Sequence, residues 1–530
     1  MSQGYFLLLL HAHLPFVRHP EHETFLEEMW LFEGITETYV PLLDMLERQA
    51  ADKIPSFFAI SFTPCLCEML ADRLLQERYS AHLERLCRFV DGECQRTPEG
   101  SNARRTAMMY ADRLGRIRHV YENVYRRDIL SGFRRFQNTG RIEVLCSAAT
   151  HPILPLIAEP MAVRAQLRMA VANYEKHFGR TPAGMWLPEC AFREGLDREM
   201  RDFGIRYFFV DSHGMLFGTP RPKYGVYAPG VTPSGMTVFA RDAESAREVW
   251  SSSDGYPGDG RYREFYRDAG YDASDADVKE CLLTGGTRHA LGIKFHRITS
   301  RECPLDAKDW YDPDAAFRAA DEHANDFLRK RIFQAQRLSP RMHCPPVIVA
   351  PYDAELFGHW WYEGPQFLDL LLRKMGCDQD IVRAVTPSQY LGTVPQPQTI
   401  TPATSSWGDK GYFEVWINES NDWVYPLLHH AERRMVRLTE ENPEADGLLL
   451  RALNQAAREL MLAEGSDWAF IMAAGTMTAY AERRVHTHLS RFNQLDAMVR
   501  TGRIDELRLE EMEEQDSIFP EIDYRIYDKD

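Results

Sequence analysis

The chain has 530 residues, of which 44% are hydrophobic, and this length allows one large core with smaller additional domains. We expect two or three domains, because single cores stop growing at about 250 to 300 residues. The formal net charge of −16 argues against nucleic acid as a partner, since binding a polyanion requires a concentrated basic face. An uncharged polymer remains allowed.

The chain begins with a short apolar run at residues 5–10. This run is too short for a transmembrane helix, and it lacks the positive leading region and small-residue cleavage site of a signal peptide. The ten cysteines form no CxxC pair, so neither a disulfide framework nor a zinc site is indicated. We predict a buried strand here and a cytoplasmic protein with reduced thiols and no membrane segment.

Short apolar runs that end abruptly in polar residues recur along the chain. Runs of this length are typical of parallel strands that helices cover on both faces. Polar residues at the ends of parallel strands build the active site of a (β/α) barrel, although a doubly wound open sheet is the structural alternative. The runs occupy residues 5–10, 57–60, 142–146, 184–187, 205–210, 237–240 and 347–350.

Helical segments lie between several of these runs. Apolar residues recur at helical spacing over residues 161–178, and Gly179 supplies the stop. Residues 65–138 contain helix-like stretches and no convincing strand. We therefore predict an α/β catalytic domain over residues 1–400 with a helical insertion at 65–138.

The pattern changes after residues 395–402. Long amphipathic segments at 449–463 and 477–499 predict an all-helical C-terminal domain over residues 401–530. The tail beyond Ile504 is acidic but too apolar for simple disorder, so we expect it to fold back onto the protein.

Two carboxylates follow apolar runs and prolines. Glu189 comes directly after Pro188, and Asp353 is followed by several large aromatic residues. Two facing carboxylates are what glycosidic bond cleavage requires. We expect the aromatic neighbours to raise the pKa of Asp353 by desolvation and Glu189 to stay ionised. Taken alone, such a glutamate is as often an ion-pair partner, and Glu355 competes for either role.

His11 and His13 follow the first run, and this pair raises an alternative. Metal-dependent amidohydrolase barrels hold a divalent ion with an HxH at the end of strand one. His151 and Asp353 could supply further ligands, but no lysine follows the fourth run, where Glu189 stands. The other interpretation is that one histidine bonds substrate hydroxyls while its neighbour packs in the core.

Tryptophans cluster with amides and acids at residues 406–423, where Trp407 and Trp416 stand in a loop-like segment. Sugar rings have apolar faces and hydroxyl rims, so stacking platforms edged by polar groups suit oligosaccharides. Core packing between two domains explains any single tryptophan equally well. The cluster favours a cleft, either of an enzyme or of a non-catalytic glycan-binding protein.

Together these pieces resemble glycoside hydrolase family 57, and within it the α-1,4-glucan branching enzymes. The resemblance implies an incomplete (β/α)7 barrel, a helical insertion and a helical C-terminal domain that closes over the cleft. It runs along nearly the whole chain, through residues 11–15, 30–33, 149–151, 186–191, 255–259, 294–299, 351–363, 407–423 and 466–470.

The resemblance implies a retaining reaction on α-glucan, with Glu189 as nucleophile, Asp353 as acid/base, and neither metal nor cofactor. We expect a monomer or a weak homo-oligomer. From the family motifs and the strand ends, we expect the glucan to contact His11, His13, Trp30, Glu33, His151, Trp186, Asp211, Tyr271, His296, Trp360, Trp407, Trp416 and Asp467.

Two positions depart from the branching pattern. Branching members are expected to carry a tyrosine on a mobile loop over the cleft, but residues 229–236 contain none, and Tyr227 is the nearest. Tyr271 stands where a tryptophan is expected. Since branching requires that water be excluded until the acceptor arrives, an α-1,4-glucan hydrolase or 4-α-glucanotransferase remains the alternative.

Overall fold

The computed structural model describes residues 2–251, 255–393 and 398–529. The segment at 395–402, where the sequence predicts the change of pattern, lies partly outside these ranges. All seven predicted apolar runs form strands, and three short strands accompany them. Within the described ranges the strands are β1 Gly4–Ala12, β2 Phe58–Phe62, β3 Ile142–Leu145, β4 Gly184–Met185, β5 Tyr207–Val210, β6 Gly230–Val231, β7 Thr237–Ala240, β8 Val347–Asp353, β9 Val382–Ala384 and β10 Gln398–Thr399.

The strands form two largely parallel sheets. The first has the order β3-β2-β1-β8, with β9 paired to the start of β1, and the second has the order β10-β6-β7-β5-β4. Only the β6–β7 pair is antiparallel among the described strand pairs. A parallel bridge between Cys146 and Met185 joins the sheets at β3 and β4. At the other side, the Asp242 amide donates to the Val349 carbonyl at 2.8 Å.

Strand β1 lies at the centre of the first sheet and is buried along most of its length. Its register places His11 beside Ser61 of β2 and beside Asp353 of β8. Because parallel strands carry their carboxyl ends to one edge, this edge gathers the polar residues that follow the runs.

Helices surround the sheets and make up the described C-terminal region from Val424 onward. Helices α3 to α6 occupy the chain between β2 and β3. The helices are α1 Glu28–Glu33, α2 Val40–Ala51, α3 Pro64–Ala71, α4 Arg73–Arg96, α5 Asn102–Arg118, α6 Ile129–Asn138, α7 Pro160–Phe178, α8 Leu196–Asp202, α9 Ser212–Leu216, α10 Ala243–Trp250, α11 Ala269–Asp272, α12 Asp275–Val278, α13 Pro313–Leu338, α14 Gly364–Cys377, α15 Pro387–Leu391, α16 Val424–Glu441, α17 Gly447–Ala463, α18 Ser466–Ala474, α19 Thr478–Thr501 and α20 Glu506–Gln515.

Helix α7 matches its sequence prediction closely. It ends at Gly179, whose φ of 71° is the left-handed conformation that glycine adopts without strain. Between α1 and α2, residues Gly34–Tyr39 form a π-helical segment. Such segments recur at functional sites, because the extra residue changes which side chains face a cleft.

The C-terminal helices pack directly on the strand ends. The Ser466 amide at the start of α18 donates to the His151 carbonyl at 3.2 Å, and the Thr150 hydroxyl donates to the Met461 carbonyl. The tail also folds back, since Phe519 and Tyr524 are buried. Across the described ranges, no helix combines the length and apolarity needed to cross a bilayer.

Candidate active site

Glu189 stands on a short turn after β4. Residues Pro188–Cys190 form a single 3-10 turn in which Pro188 fixes the entry. Glu189 and Cys190 both have φ of 55°, in the left-handed region that non-glycine residues rarely occupy. Backbone held in this region is a recurring feature of functional sites, since the surroundings must maintain it.

Asp353 is the last residue of β8 and lies beside His11 of β1. Burial raises the pKa of Asp353 well above its usual range, and the carboxylates of Glu355 and Glu189 raise it further. Like charges that act on each other in this way cannot all ionise readily. Burial and both neighbouring carboxylates therefore favour the protonated form of Asp353.

Opposing effects act on the pKa of Glu189. Burial raises its pKa to about 7, while a hydrogen bond from Trp407 and the charge of His13 oppose the rise. The Trp407 indole Nε1 donates to Glu189 Oε2 at 2.7 Å, and the Trp407 amide donates to the Glu189 carbonyl at 3.0 Å. The sequence suggested that Glu189 stays ionised; instead its pKa lies at about 7.

Three histidines form a connected group beside these carboxylates. His11 Nε2 and His151 Nε2 lie 3.0 Å apart, so one of them donates to the other. The ring of His13 stacks on that of His151 with centroids 3.8 Å apart. His151 has a φ of 57°, and its Nδ1 lies 3.9 Å from Glu189 Oε1.

The pKa values of the three histidines shift in different directions. Burial and the neighbouring His13 hold the pKa of His11 well below its usual value, and burial, His13 and His11 do the same to His151. Burial would also lower the pKa of His13, but the carboxylates of Asp467, Glu189 and Glu355 together raise it, with Asp467 contributing most. His13 Nε2 lies 3.0 Å from Asp467 Oδ1. His13, paired with a carboxylate, is thus the ring of the three that is most easily protonated.

All six ring nitrogens of these histidines are already engaged. His11 Nδ1 pairs with Ser61 Oγ at 2.7 Å and His151 Nδ1 with Ser466 Oγ at 2.9 Å. His13 Nδ1 pairs with Thr63 Oγ1 at 3.0 Å. A metal ligand must offer a nitrogen lone pair to the ion. Because hydroxyls, Asp467 and the partner imidazole already use these nitrogens, the geometry favours hydrogen bonding over the metal-dependent alternative.

Glu355 forms a third carboxylate beside the pair. Its Oε1 accepts from the Tyr39 hydroxyl at 2.5 Å and from the His13 amide at 3.2 Å. Burial raises the pKa of Glu355 to about 7, and the bond from Tyr39 opposes this rise. Since Tyr39 ends the π-helical segment, that segment holds Glu355 in place.

Aromatic rings line the floor near Glu189. Trp186 is buried, and its ring lies 5.5 Å from that of His11 and 4.8 Å from that of Trp407. Trp407 remains half-buried and also meets Trp250 at 6.1 Å. Trp416 is buried in a cluster with Ile153, Ala191 and Ala469. Core packing, the alternative weighed from the sequence, therefore describes Trp416 and Trp186 better than Trp407.

Asp211 joins this group through Arg241. Arg241 Nη1 donates to Asp211 Oδ2 at 3.2 Å, and its guanidinium lies 5.5 Å from the centre of the Trp407 ring. Burial would raise the pKa of Asp211, but His213 and Arg241 lower it. Arg241 was not among the predicted site residues, although it directly follows the apolar run at 237–240, as the predicted strand-end residues follow theirs.

The remaining predicted residues make their contacts elsewhere. Tyr271 is exposed. The Trp30 ring meets Tyr480, and His296 stacks on Trp310 with centroids 4.7 Å apart. Glu33 and Trp360 belong to a second group, built around His359 and Phe265.

The stretch at 229–236 is a tight hairpin. β6 pairs antiparallel with β7, and the Thr232 amide donates to the Met236 carbonyl at 2.8 Å. Ser234 Oγ donates to Asp197 Oδ2 at 2.6 Å, which anchors the turn to α8. The mobile loop over the cleft that the family resemblance implies at this position is therefore replaced by an anchored turn.

Known families match the chain over most of its length. A model described as Glycosyl hydrolase family 57 matches residues 7–275, and one described as 1,4-alpha-glucan branching enzyme, C-terminal, matches residues 427–527. A 1,4-α-glucan branching enzyme of Thermococcus kodakarensis is 35% identical over 98% of this chain and 77% of its own length.

Two solved structures have closely similar folds. The α-amylase AmyC of Thermotoga maritima superimposes with a TM-score of 0.93 at 45% identity, covering 100% of both chains. The family 57 branching enzyme of Pyrococcus horikoshii superimposes with a TM-score of 0.88 at 33% identity, covering 99% of this chain and 97% of that one.

Proposed function

The chain belongs to glycoside hydrolase family 57, and from that premise we propose that it is a 1,4-α-glucan branching enzyme. The observation that carries the proposal is the pair Glu189 and Asp353, two carboxyls that follow strands β4 and β8, where the charge of Glu189 acts on Asp353. Burial and the neighbouring carboxylates favour the protonated form of Asp353, while the Trp407 hydrogen bond favours the ionised form of Glu189, as a general acid and a nucleophile require. The relatives whose names state branching supply the choice of reaction.

In the first proposed step, the Glu189 carboxylate attacks the anomeric carbon of an α-1,4-linked glucose. Trp407 holds Oε2, so Oε1 is the attacking oxygen. As the bond from the anomeric carbon to the leaving O4 breaks, Asp353 donates its proton to that oxygen. The product is a glucosyl ester on Glu189 and a released chain end.

In the second step, the 6-hydroxyl of an acceptor glucan attacks the ester. Asp353, now ionised, takes the hydroxyl proton, an α-1,6 bond forms, and Glu189 leaves as a carboxylate. Both steps need the carboxyls about 5 to 5.5 Å apart, which is the separation of retaining enzymes. The rings of His11, His13 and His151, whose nitrogens are engaged within the protein, would border the bound sugar.

We also propose that the strands form an incomplete (β/α)7 barrel. Strands β1, β2, β3, β4, β5, β7 and β8 would be its members, supported by the Cys146–Met185 bridge and the Asp242–Val349 hydrogen bond that link the two sheets. The catalytic domain would span residues 1–400 with its insertion at 65–138. Residues 401–530 would be the helical domain that completes the cleft.

A second candidate is an α-1,4-glucan hydrolase on the same scaffold. The anchored hairpin at 229–236 offers no tyrosine to the cleft, and AmyC, at 45% identity, is an α-amylase. Without a loop that closes over the cleft, water reaches the glucosyl ester before an acceptor glucan does.

Incubation with amylose separates these candidates. Branching predicts new α-1,6 linkages in excess of new reducing ends, whereas hydrolysis predicts reducing ends alone. Glu189→Gln abolishes either activity, because the amide cannot form the ester. A Glu189→Gln variant with unchanged function would instead identify a non-catalytic glycan-binding protein.

A further inference from the structure

A stacked aromatic pair stands near the acid/base. The rings of Trp360 and Phe265 lie 4.4 Å apart at an interplanar angle of 19°. Trp360 is 56% exposed although it is one of the largest apolar side chains. Phe265 covers one face of the indole, so the exposed area lies on its remaining surface. An open indole of this kind is a platform for the apolar face of a sugar ring.

Charged groups edge this platform. His359 Nδ1 lies 3.4 Å from Glu33 Oε2 and 3.1 Å from Glu37 Oε2, and its ring meets that of Trp360. Lys294 Nζ lies 4.2 Å from the centre of the Phe265 ring. Burial raises the pKa of Glu33 to about 7, against the opposing charge of His359. Partly exposed, Glu33 can accept from or donate to a sugar hydroxyl.

The platform is attached to the segment that carries Asp353. The carbonyl of Glu355 accepts the amides of His359 and Trp360, each at 3.2 Å. Gly358, with a φ of 123°, lets this turn approach Glu37 closely, since a Cβ there would lie 1.8 Å from the Glu37 carbonyl oxygen. The backbone of Trp360 is therefore held in the turn that follows Asp353, and its indole is held by the stack with Phe265.

We propose that Trp360 and Phe265 form the subsite for the glucan chain on the Asp353 side of the cleft. The inference rests on the proposed function. Asp353 first protonates the leaving chain and then deprotonates the acceptor, so both chains bind on its side in turn. A platform there holds the acceptor against the competing water and sets the share of transfer over hydrolysis.

Replacement of the indole tests this. Trp360→Ala and Phe265→Ala should lower the ratio of new α-1,6 linkages to new reducing ends on amylose by roughly three- to tenfold, as loss of one aromatic contact allows. The Kd for maltoheptaose, measured on the Glu189→Gln background, should rise by a similar factor. Trp360→Phe should keep most of both. Phe333→Ala, at a 66% exposed aromatic of α13, is the matched control and should change neither.

Several results would overturn the inference while leaving the proposed function intact. One is that Trp360→Ala leaves both the ratio of new α-1,6 linkages to new reducing ends and the Kd for maltoheptaose unchanged. Another is that new α-1,6 linkages and new reducing ends fall by the same factor. A changed sedimentation coefficient in Trp360→Ala would assign the ring to a contact between copies of the chain. If wild-type protein produces no α-1,6 linkages, branching itself fails, and the Kd for maltoheptaose still decides whether Trp360 binds glucan.

Discussion

Trp407 donates its indole N–H to the carboxylate of Glu189 at 2.7 Å, across 218 positions of sequence. The bond acts against burial, which raises the pKa of Glu189 to about 7. A charge-assisted bond of this kind stabilises the ionised form that attack requires. A residue 218 positions away in the sequence thus lowers the pKa of the proposed nucleophile.

Trp407→Phe should move the acidic limb of the kcat/KM profile to higher pH. The substitution keeps a ring but removes the donor, so ionisation of Glu189 becomes harder and its pKa rises above about 7. The limb should move by about one to two pH units, the equivalent of one hydrogen bond to a charged group. Trp416→Phe removes an indole N–H with no partner among the described residues and should leave the limb in place.

Glu355→Gln should move the basic limb of the same profile to lower pH. That limb reports loss of the Asp353 proton, and after burial the Glu355 carboxylate is the largest cause of the raised pKa of Asp353. Removing this negative charge makes Asp353 easier to ionise. Glu363→Gln changes a buried carboxyl that accepts from Tyr311 instead, and its profile should match the wild type. A basic limb unmoved in Glu355→Gln would contradict the coupling.

Asp467→Asn should destabilise the protein most at low pH. Burial lowers the pKa of His13, but Asp467, with smaller contributions from Glu189 and Glu355, makes the net shift upward from 6.5. A raised pKa contributes stability that is complete below the unfolded value and is lost as pH rises through the folded value. We expect a loss of about 1 to 3 kcal/mol at pH 5.5 and a smaller loss at pH 9.

Urea unfolding midpoints at the two pH values measure this difference. Asp422→Asn, at an exposed position before α16, should change neither midpoint. If Asp467→Asn lowers the free energy of unfolding equally at both pH values, protonation of His13 does not explain the loss.

Chelation should leave glucan activity unchanged. The ring nitrogens of His11, His13 and His151 are held by hydroxyls, by Asp467 and by one another. Dialysis against EDTA, followed by elemental analysis and the amylose assay, measures the outcome. Activity that falls with metal content and returns on adding a divalent ion would restore the amidohydrolase interpretation.

The strand ends could be predicted because a buried parallel strand needs a continuous apolar run. The first polar residue after each run shows where the strand ends. His11, Glu189, Asp211 and Asp353 were found in this way. β6, β9 and β10 have two or three residues each and no such run, so they gave no signal.

Long-range partners were less predictable. Ser61, Thr63 and Ser466 became site residues only because the fold brings their hydroxyls to the histidines, and hydroxyl residues occur throughout any sequence. Desolvation by Phe357, Trp360 and Trp361 was expected to raise the pKa of Asp353, and burial is the largest cause of the rise, although Trp360 itself is exposed. The further rise from the Glu355 and Glu189 carboxylates was not predicted, because it depends on how the fold places them.

The site draws its parts from distant stretches of the chain. His13 directly follows β1, whereas Ser466 and Asp467, which hydrogen-bond to the histidines, lie in the first turn of α18. Trp407 lies in the loop between β10 and α16. Neither the sheets nor the C-terminal helices alone contain all the residues of the active site. We therefore expect the active site to be complete only when α18 has packed against the carboxyl ends of the strands.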